Sequence, residues 1–220
     1  MTLGLKPADG EPLFAFQAGQ FVMLQILNGD GSLWAQAAYS IASAPCESND
    51  ELELGIKIEG DFTQRVSQLT IGERVSVRGP YGVFTVKEKS GSQVFFAGGI
   101  GIAPIRSMIR DLLLCAKTQE DIFLFYSSKT RAGMAYEEEL RDLATQHDNF
   151  YPTFCITQET VEGFEGECQR VNVDMVSRYF SDFQKGMFYM CGPVSFMDSV
   201  RKMLEGEGVD ITDCLKKETF

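Results

Sequence analysis

Gly98-Gly99-Ile100-Gly101-Ile102-Ala103-Pro104 joins a strand-like segment to a helical one. It follows Val94 to Ala97, a short apolar run of strand character. It precedes Ile105, Met108, Ile109, Leu112 and Leu113, which recur at helical spacing. A strand, a glycine turn and a helix in that order put free backbone N–H groups and the positive end of a helix dipole at the carboxyl edge of a parallel sheet. Glycine leaves no Cβ between the backbone and an approaching pyrophosphate. Pro104 suits a first helical turn, where no N–H donor is required. A tight strand-to-helix connection without ligand has the same local sequence. The surrounding pattern favours a dinucleotide, with Gly98, Gly99, Gly101, Ile102, Ala103 and Pro104 as its contacts. The spacing is not the Rossmann fingerprint, and the second strand ends in Tyr126-Ser127-Ser128-Lys129-Thr130 with no acid.

Downstream of the turn, strands and helices alternate. Ile122 to Tyr126, Phe150 to Ile156 and Met187 to Met190 read as strands. Helices are expected near Ala135–Thr145, Val173–Phe180 and Val194–Leu204, with a polar loop from Gln158 to Arg170. Such alternation implies a parallel sheet covered on both faces.

Upstream the period changes to two. Leu52, Leu54, Ile56 and Ile58 alternate with other residues, as do Val75 and Val77, and Phe21 to Ile26 is a short apolar run. Gly29-Asp30-Gly31, Ser48-Asn49-Asp50 and Gly79-Pro80 are turn signals between them. A small antiparallel barrel is expected. The polar run Lys87–Gly91 marks the boundary, giving domains 1–88 and 92–220.

Composition narrows the class. The chain has 220 residues, 44% hydrophobic and 23% charged, ordinary for a globular protein. A net charge of −11 argues against nucleic acid as a partner. No apolar run approaches the roughly 20 residues of a membrane span, and no signal-peptide pattern opens the chain, so a cytoplasmic protein without membrane insertion is expected. Cys46, Cys115, Cys155, Cys168, Cys191 and Cys214 form no C-x-x-C pair, so no zinc or iron–sulfur site is expected. Their wide spacing speaks against disulfides and for reduced thiols. His147, the sole histidine, lies in a polar stretch and is expected at the surface.

Further stretches complete a pattern: Ala38-Tyr39-Ser40-Ile41-Ala42-Ser43, Gly60-Asp61-Phe62-Thr63, Gly79-Pro80-Tyr81-Gly82-Val83-Phe84, Cys191-Gly192-Pro193 and Glu218-Thr219-Phe220. In this order and spacing the chain resembles the ferredoxin–NADP reductase superfamily, which includes oxygenase reductases and flavin reductases. The likeness runs from Gly19 to the C-terminus. It implies a six-stranded flavin barrel followed by a five-stranded α/β nicotinamide domain. It also implies FAD (or FMN) and NADH or NADPH as cofactors, and a separate redox protein, ferredoxin-like or an oxygenase component, as electron acceptor.

By the same resemblance Tyr39 lies against the isoalloxazine, and Ser40 hydrogen-bonds near flavin N5. Ile41, Lys57 and Ile58 line the flavin, and Gly60, Phe62 and Thr63 meet its phosphates. Cys191, with Gly192 and Pro193, sits beside the nicotinamide C4. Phe220 covers the flavin, and Glu218 hydrogen-bonds near Ser40 and Cys191 and balances protons there. Ser40, Cys191, Glu218 and Phe220 are thus the candidate catalytic residues.

Ala37 departs from the family pattern, which has at that position an arginine pairing with the flavin phosphate. The departure keeps open an accessory subunit that binds flavin poorly and a reductase using free flavin as substrate. Ser128, Lys129 and Arg131 follow the second strand and could meet a 2′-phosphate. Thr157-Gln158-Glu159 stands where NADPH-specific relatives often carry Ser-Arg, which leans toward NADH.

Overall fold

The computed structural model describes residues 1–47, 51–86 and 91–219. The turn signal at Ser48-Asn49-Asp50, most of the boundary run at Lys87–Gly91, and Phe220 lie outside the described residues. The chain divides into two units, Met1–Val86 with Arg106–Lys117 and Lys87–Ile105 with Thr118–Phe220.

The first unit begins with β1 (Thr2–Leu5), β2 (Phe21–Leu27), β3 (Leu33–Ser40) and β4 (Leu52–Gly55), then α1 (Asp61–Ser67) and β5 (Ser76–Tyr81). Its strands form two antiparallel sheets, β3-β2-β5 and β1-β4. Alternation explains the inner face. Val22, Leu24 and Ile26 of β2 bury their side chains with Ile41, Leu52, Leu54, Ile56 and Val66, each burial worth about 1.5–3 kcal/mol. Among the described residues this unit has five strands rather than six. The Leu52–Ile58 alternation stops pairing at Gly55, although the Ile56 N–H still donates to the Met1 carbonyl (2.9 Å).

The rest of this unit is the second half of α2 (Ile102–Arg110) and the π-helical turn Asp111–Cys115. Here the structure corrects a sequence expectation: Cys46 and Cys115 are joined by a disulfide, with Cα atoms 5.7 Å apart. The 3₁₀ turn Pro45–Glu47 and the π-helical turn meet, so cysteines far apart in sequence reach bonding distance. Polar ties accompany the bridge. Arg106, almost fully buried, donates to the Ala42 carbonyl (2.7 Å) and to Glu53 (2.6 Å). The Ser107 hydroxyl donates to the Ser43 carbonyl (2.6 Å), and Arg110 pairs with Glu47.

The second unit carries β6 (Gln93–Gly98), β7 (Ile122–Ser128), α3 (Glu137–Gln146), β8 (Phe150–Ile156), α4 (Val173–Ser177), β9 (Met187–Cys191), α5 (Val194–Gly206) and β10 (Leu215–Glu218). The strands form one parallel sheet in the order β10-β9-β6-β7-β8. β6 and β9 are buried throughout and β7 nearly so, as continuous apolar strands covered on both faces must be. Glu137, Glu138 and Glu139 open α3, where acids suit the positive end of the helix dipole. His147 is partly exposed just after that helix. Among the described residues, no helix is long and apolar enough to cross a membrane, and no acidic, histidine or cysteine cluster could hold a metal ion.

Candidate functional site

The glycine turn leads from β6 through the 3₁₀ turn Gly99–Gly101 into α2, the arrangement its sequence implies. Its glycines have separate tasks. A Cβ on Gly101 would lie 2.2 Å from the Cys191 carbonyl oxygen, and one on Gly192 would lie 2.8 Å from the Cα of Gly98. The glycine turn and Cys191-Gly192-Pro193 are therefore packed backbone against backbone. Gly99 is different: its φ is +55°, and nothing lies within 4 Å of where its Cβ would be. That open backbone at a helix start is the part of the turn an anion can approach. Ile102 and Ala103 are buried in the first turn of α2 with Pro104.

Cys191 ends β9, fully buried, and Glu218 ends β10 directly opposite it in the register. The Glu218 Oε2 is buried without a hydrogen-bond partner. Burial pushes the Glu218 carboxyl up to about 7. Burial, reinforced by Glu218, drives the Cys191 thiol far above its ordinary value. Cys191 is thus a thiol near neutrality and no nucleophile. Gly192 and Pro193 carry the chain from it into α5.

In the first unit Tyr39 is half-buried and near-parallel to Phe62, centroids 6.0 Å apart. The Ser40 hydroxyl is buried without a partner. Ile41 is wholly in the core, so what it offers a ligand is backbone. Lys57 pairs with Glu59 at 2.6 Å, and Ile58 is exposed. Gly60 has φ +87° and precedes α1. Thr63 turns inward: its hydroxyl accepts from the Glu59 N–H (2.6 Å) and donates to the Gly60 carbonyl (3.0 Å). Its hydroxyl is engaged within its own turn.

At the end of β7, Ser128 is buried and its carbonyl accepts from the Thr157 N–H (3.0 Å), while the Lys129 carbonyl accepts from Gln158 (2.9 Å). Lys129 is exposed. Arg131 is held by acids: its side chain lies 3.3 Å from Glu137, and its backbone N–H donates to Glu159 (2.5 Å). A cleft of about 580 Å³ lined by Arg131, Met134, Tyr136 and Glu137 adjoins it.

Three features escaped the sequence reading. Trp34 stacks on Phe62 with centroids 6.0 Å apart. Arg106 is a buried cation whose signal was its place on an apolar helix face. Glu137 takes both Arg131 and Arg141.

The orphaned Ser40 hydroxyl and the open backbone at Gly99 suit a flavin ring edge and a pyrophosphate respectively, so the residues fit the two cofactors at those points. Residues 3–86 match the oxidoreductase FAD-binding domain, and residues 95–202 match the oxidoreductase NAD-binding domain. The reductase component of phenol 2-monooxygenase from Pseudomonas sp. (strain CF600) is 33% identical over 201 residues, 87% of this chain and 54% of that protein. The glycine betaine monooxygenase reductase subunit of Pseudomonas aeruginosa is 29% identical over 213 residues, 93% of this chain and 56% of that one. The chain thus spans about half the length of these curated relatives. In fold it is similar to the FAD/NAD-binding domain of nitric oxide dioxygenase from Vibrio cholerae, with a TM-score of 0.84 at 21% identity, covering 100% of this chain and 91% of that one.

Proposed function

Because this chain belongs to the ferredoxin–NADP reductase superfamily, with an FAD-binding and an NAD-binding domain, we propose that it is a flavin-dependent NAD(P)H oxidoreductase handing electrons to a separate redox protein. Domains 1–88 and 92–220 are the proposed division of labour, and the cytoplasm is the proposed compartment. Flavin, when bound, supplies the redox chemistry: it takes two electrons as hydride and releases them singly. The chain's residues bind and orient. Tyr39 offers a ring face, and the Ser40 hydroxyl offers a hydrogen bond to the ring edge. Gly60, Phe62 and Thr63 form the turn beside it, with Lys57, Ile58 and the Ile41 backbone as further contacts. Gly98, Gly99, Gly101, Ile102 and Ala103 present backbone N–H groups to the dinucleotide, and Pro104 opens the helix behind them. Cys191, with Gly192 and Pro193, gives nicotinamide a small wall, and Phe220 shields the flavin.

The observation that carries this reading is Glu218. A half-buried carboxyl opposite Cys191, with one oxygen buried and unpartnered and its value pushed up to about 7, can hold or release a proton near neutrality. The test is oxidation of NADH by the purified protein with an artificial one-electron acceptor. Turnover should require flavin; turnover unaffected by stripping and restoring flavin would refute the reading.

NADH is the proposed reductant. A 2′-phosphate needs a cation, and the Arg131 guanidinium already lies against Glu137. Lys129 is the remaining candidate of the pair. A second reading, reduction of diffusing flavin, is favoured by Ala37, which leaves the phosphate without its usual guanidinium.

A further inference from the structure

We propose that this flavin site selects its ligand by the ring system and not by the phosphate, so that its ligand class is flavins at large, riboflavin included. The inference rests on the flavin-binding reading above and adds to it.

Strand pairing gives the first observation. Tyr39 and Ala37 lie opposite Val22 and Leu24, so they share the inward face of β3. Ala35 opposes Ile26, but Leu33 opposes Leu27, which leaves Trp34 as an extra residue in the ladder. Such a bulge re-aims a side chain. Trp34 accordingly stacks on Phe62 at a 10° interplanar angle, and Phe62 stacks on Tyr39 at 15°. Three near-parallel rings therefore accompany the strand position whose arginine is missing.

Charge is the second observation. Between Trp34 and Thr63 the only cation is Lys57, and it is bound to Glu59. Glu59 and Asp61 flank Gly60, where the family's phosphate contact falls, and the Thr63 hydroxyl is engaged inside its own turn. Arg78 opposes Met23, which also opposes Ala38, so it belongs to the other face of the sheet. A phosphate arriving beside Gly60 meets carboxylates, while a flat ring meets stacked aromatics.

Trp34 is the only tryptophan, so its emission reports binding without a label. Riboflavin, FMN and FAD are titrated against that emission at about 50 and 500 mM salt, a range that strips screened ion pairs. Riboflavin and FMN should bind within about threefold of each other, with little change in that ratio with salt; a guanidinium–phosphate contact would separate them by about 10- to 100-fold. FMN tighter than riboflavin by that margin, with the advantage shrinking in salt, would overturn the inference and leave the flavin-binding reading standing. Binding of no flavin would overturn both. The variant A37R supplies the converse: it should tighten FMN by about tenfold and leave riboflavin unchanged. An FMN-to-riboflavin ratio unmoved by A37R in a folded protein would contradict the assignment of Ala37.

Discussion

Gly101 meets Cys191 so closely that no side chain fits between them: its Cβ would stand 2.2 Å from the Cys191 carbonyl oxygen. The glycine turn and the cysteine motif, distant in sequence, are one packed unit, and the proposed nicotinamide site lies on that contact.

This separates two alanine substitutions. Gly101→Ala forces backbone apart and should cost about 1–3 kcal/mol, as overpacking does. Gly99→Ala adds a methyl in open space at φ +55°, costing about 1–2 kcal/mol for the left-handed backbone, while weakening NADH binding. Urea unfolding and NADH titration of both variants check this. A Gly99→Ala protein with unchanged NADH affinity contradicts the role given to that residue.

Glu218 makes stability depend on pH. Its folded-state value of about 7 lies above the ordinary 4.5, so between those values the folded chain keeps a proton that the unfolded chain loses. Stability from this group is full below about 4.5 and falls as pH rises to about 7. Partial solvent access limits the effect to about 1 kcal/mol. Glu218→Gln should match the wild type near pH 4.5 and melt a few degrees higher at pH 7.5. A melting difference independent of pH contradicts the buried-acid assignment.

The Cys46–Cys115 bridge closes a separation of 69 residues. On the chain-entropy model a loop of that size is worth about 4 kcal/mol. Cys115→Ser, or reduction of the native protein, should lower the unfolding midpoint accordingly. Thiol titration of unfolded, unreduced protein should find the four free cysteines Cys155, Cys168, Cys191 and Cys214. Six reactive thiols would contradict the bridge.

On the proposed preference for NADH, Glu137 keeps the Arg131 guanidinium from a 2′-phosphate. Glu137→Gln should release that guanidinium and raise kcat/KM for NADPH by about tenfold relative to NADH. An unchanged ratio would remove Arg131 from the coenzyme site.

What could be read in advance follows from periodicity. β8 was legible to the residue, because Phe150 to Ile156 is a bounded run of apolar and β-prone residues. β10 was not: Leu215-Lys216-Lys217-Glu218 is an edge strand with three charges, and only the family likeness asked for a fifth strand. The Trp34 bulge depends on a one-residue shift in pairing that no local signal announces. The disulfide was hidden because distance in sequence says nothing of two turns meeting in space. The family likeness places Thr63 at the flavin phosphates, and no sequence signal shows that its hydroxyl is engaged within its own turn.

On the proposed function, bound flavin takes its electrons from reduced nicotinamide. Anaerobic stopped-flow mixing of the flavin-loaded protein with NADH follows that transfer in a single turnover. Rapid loss of the visible flavin band, slowed in Glu218→Gln, is the predicted result. A band that persists with both NADH and NADPH would contradict the claim.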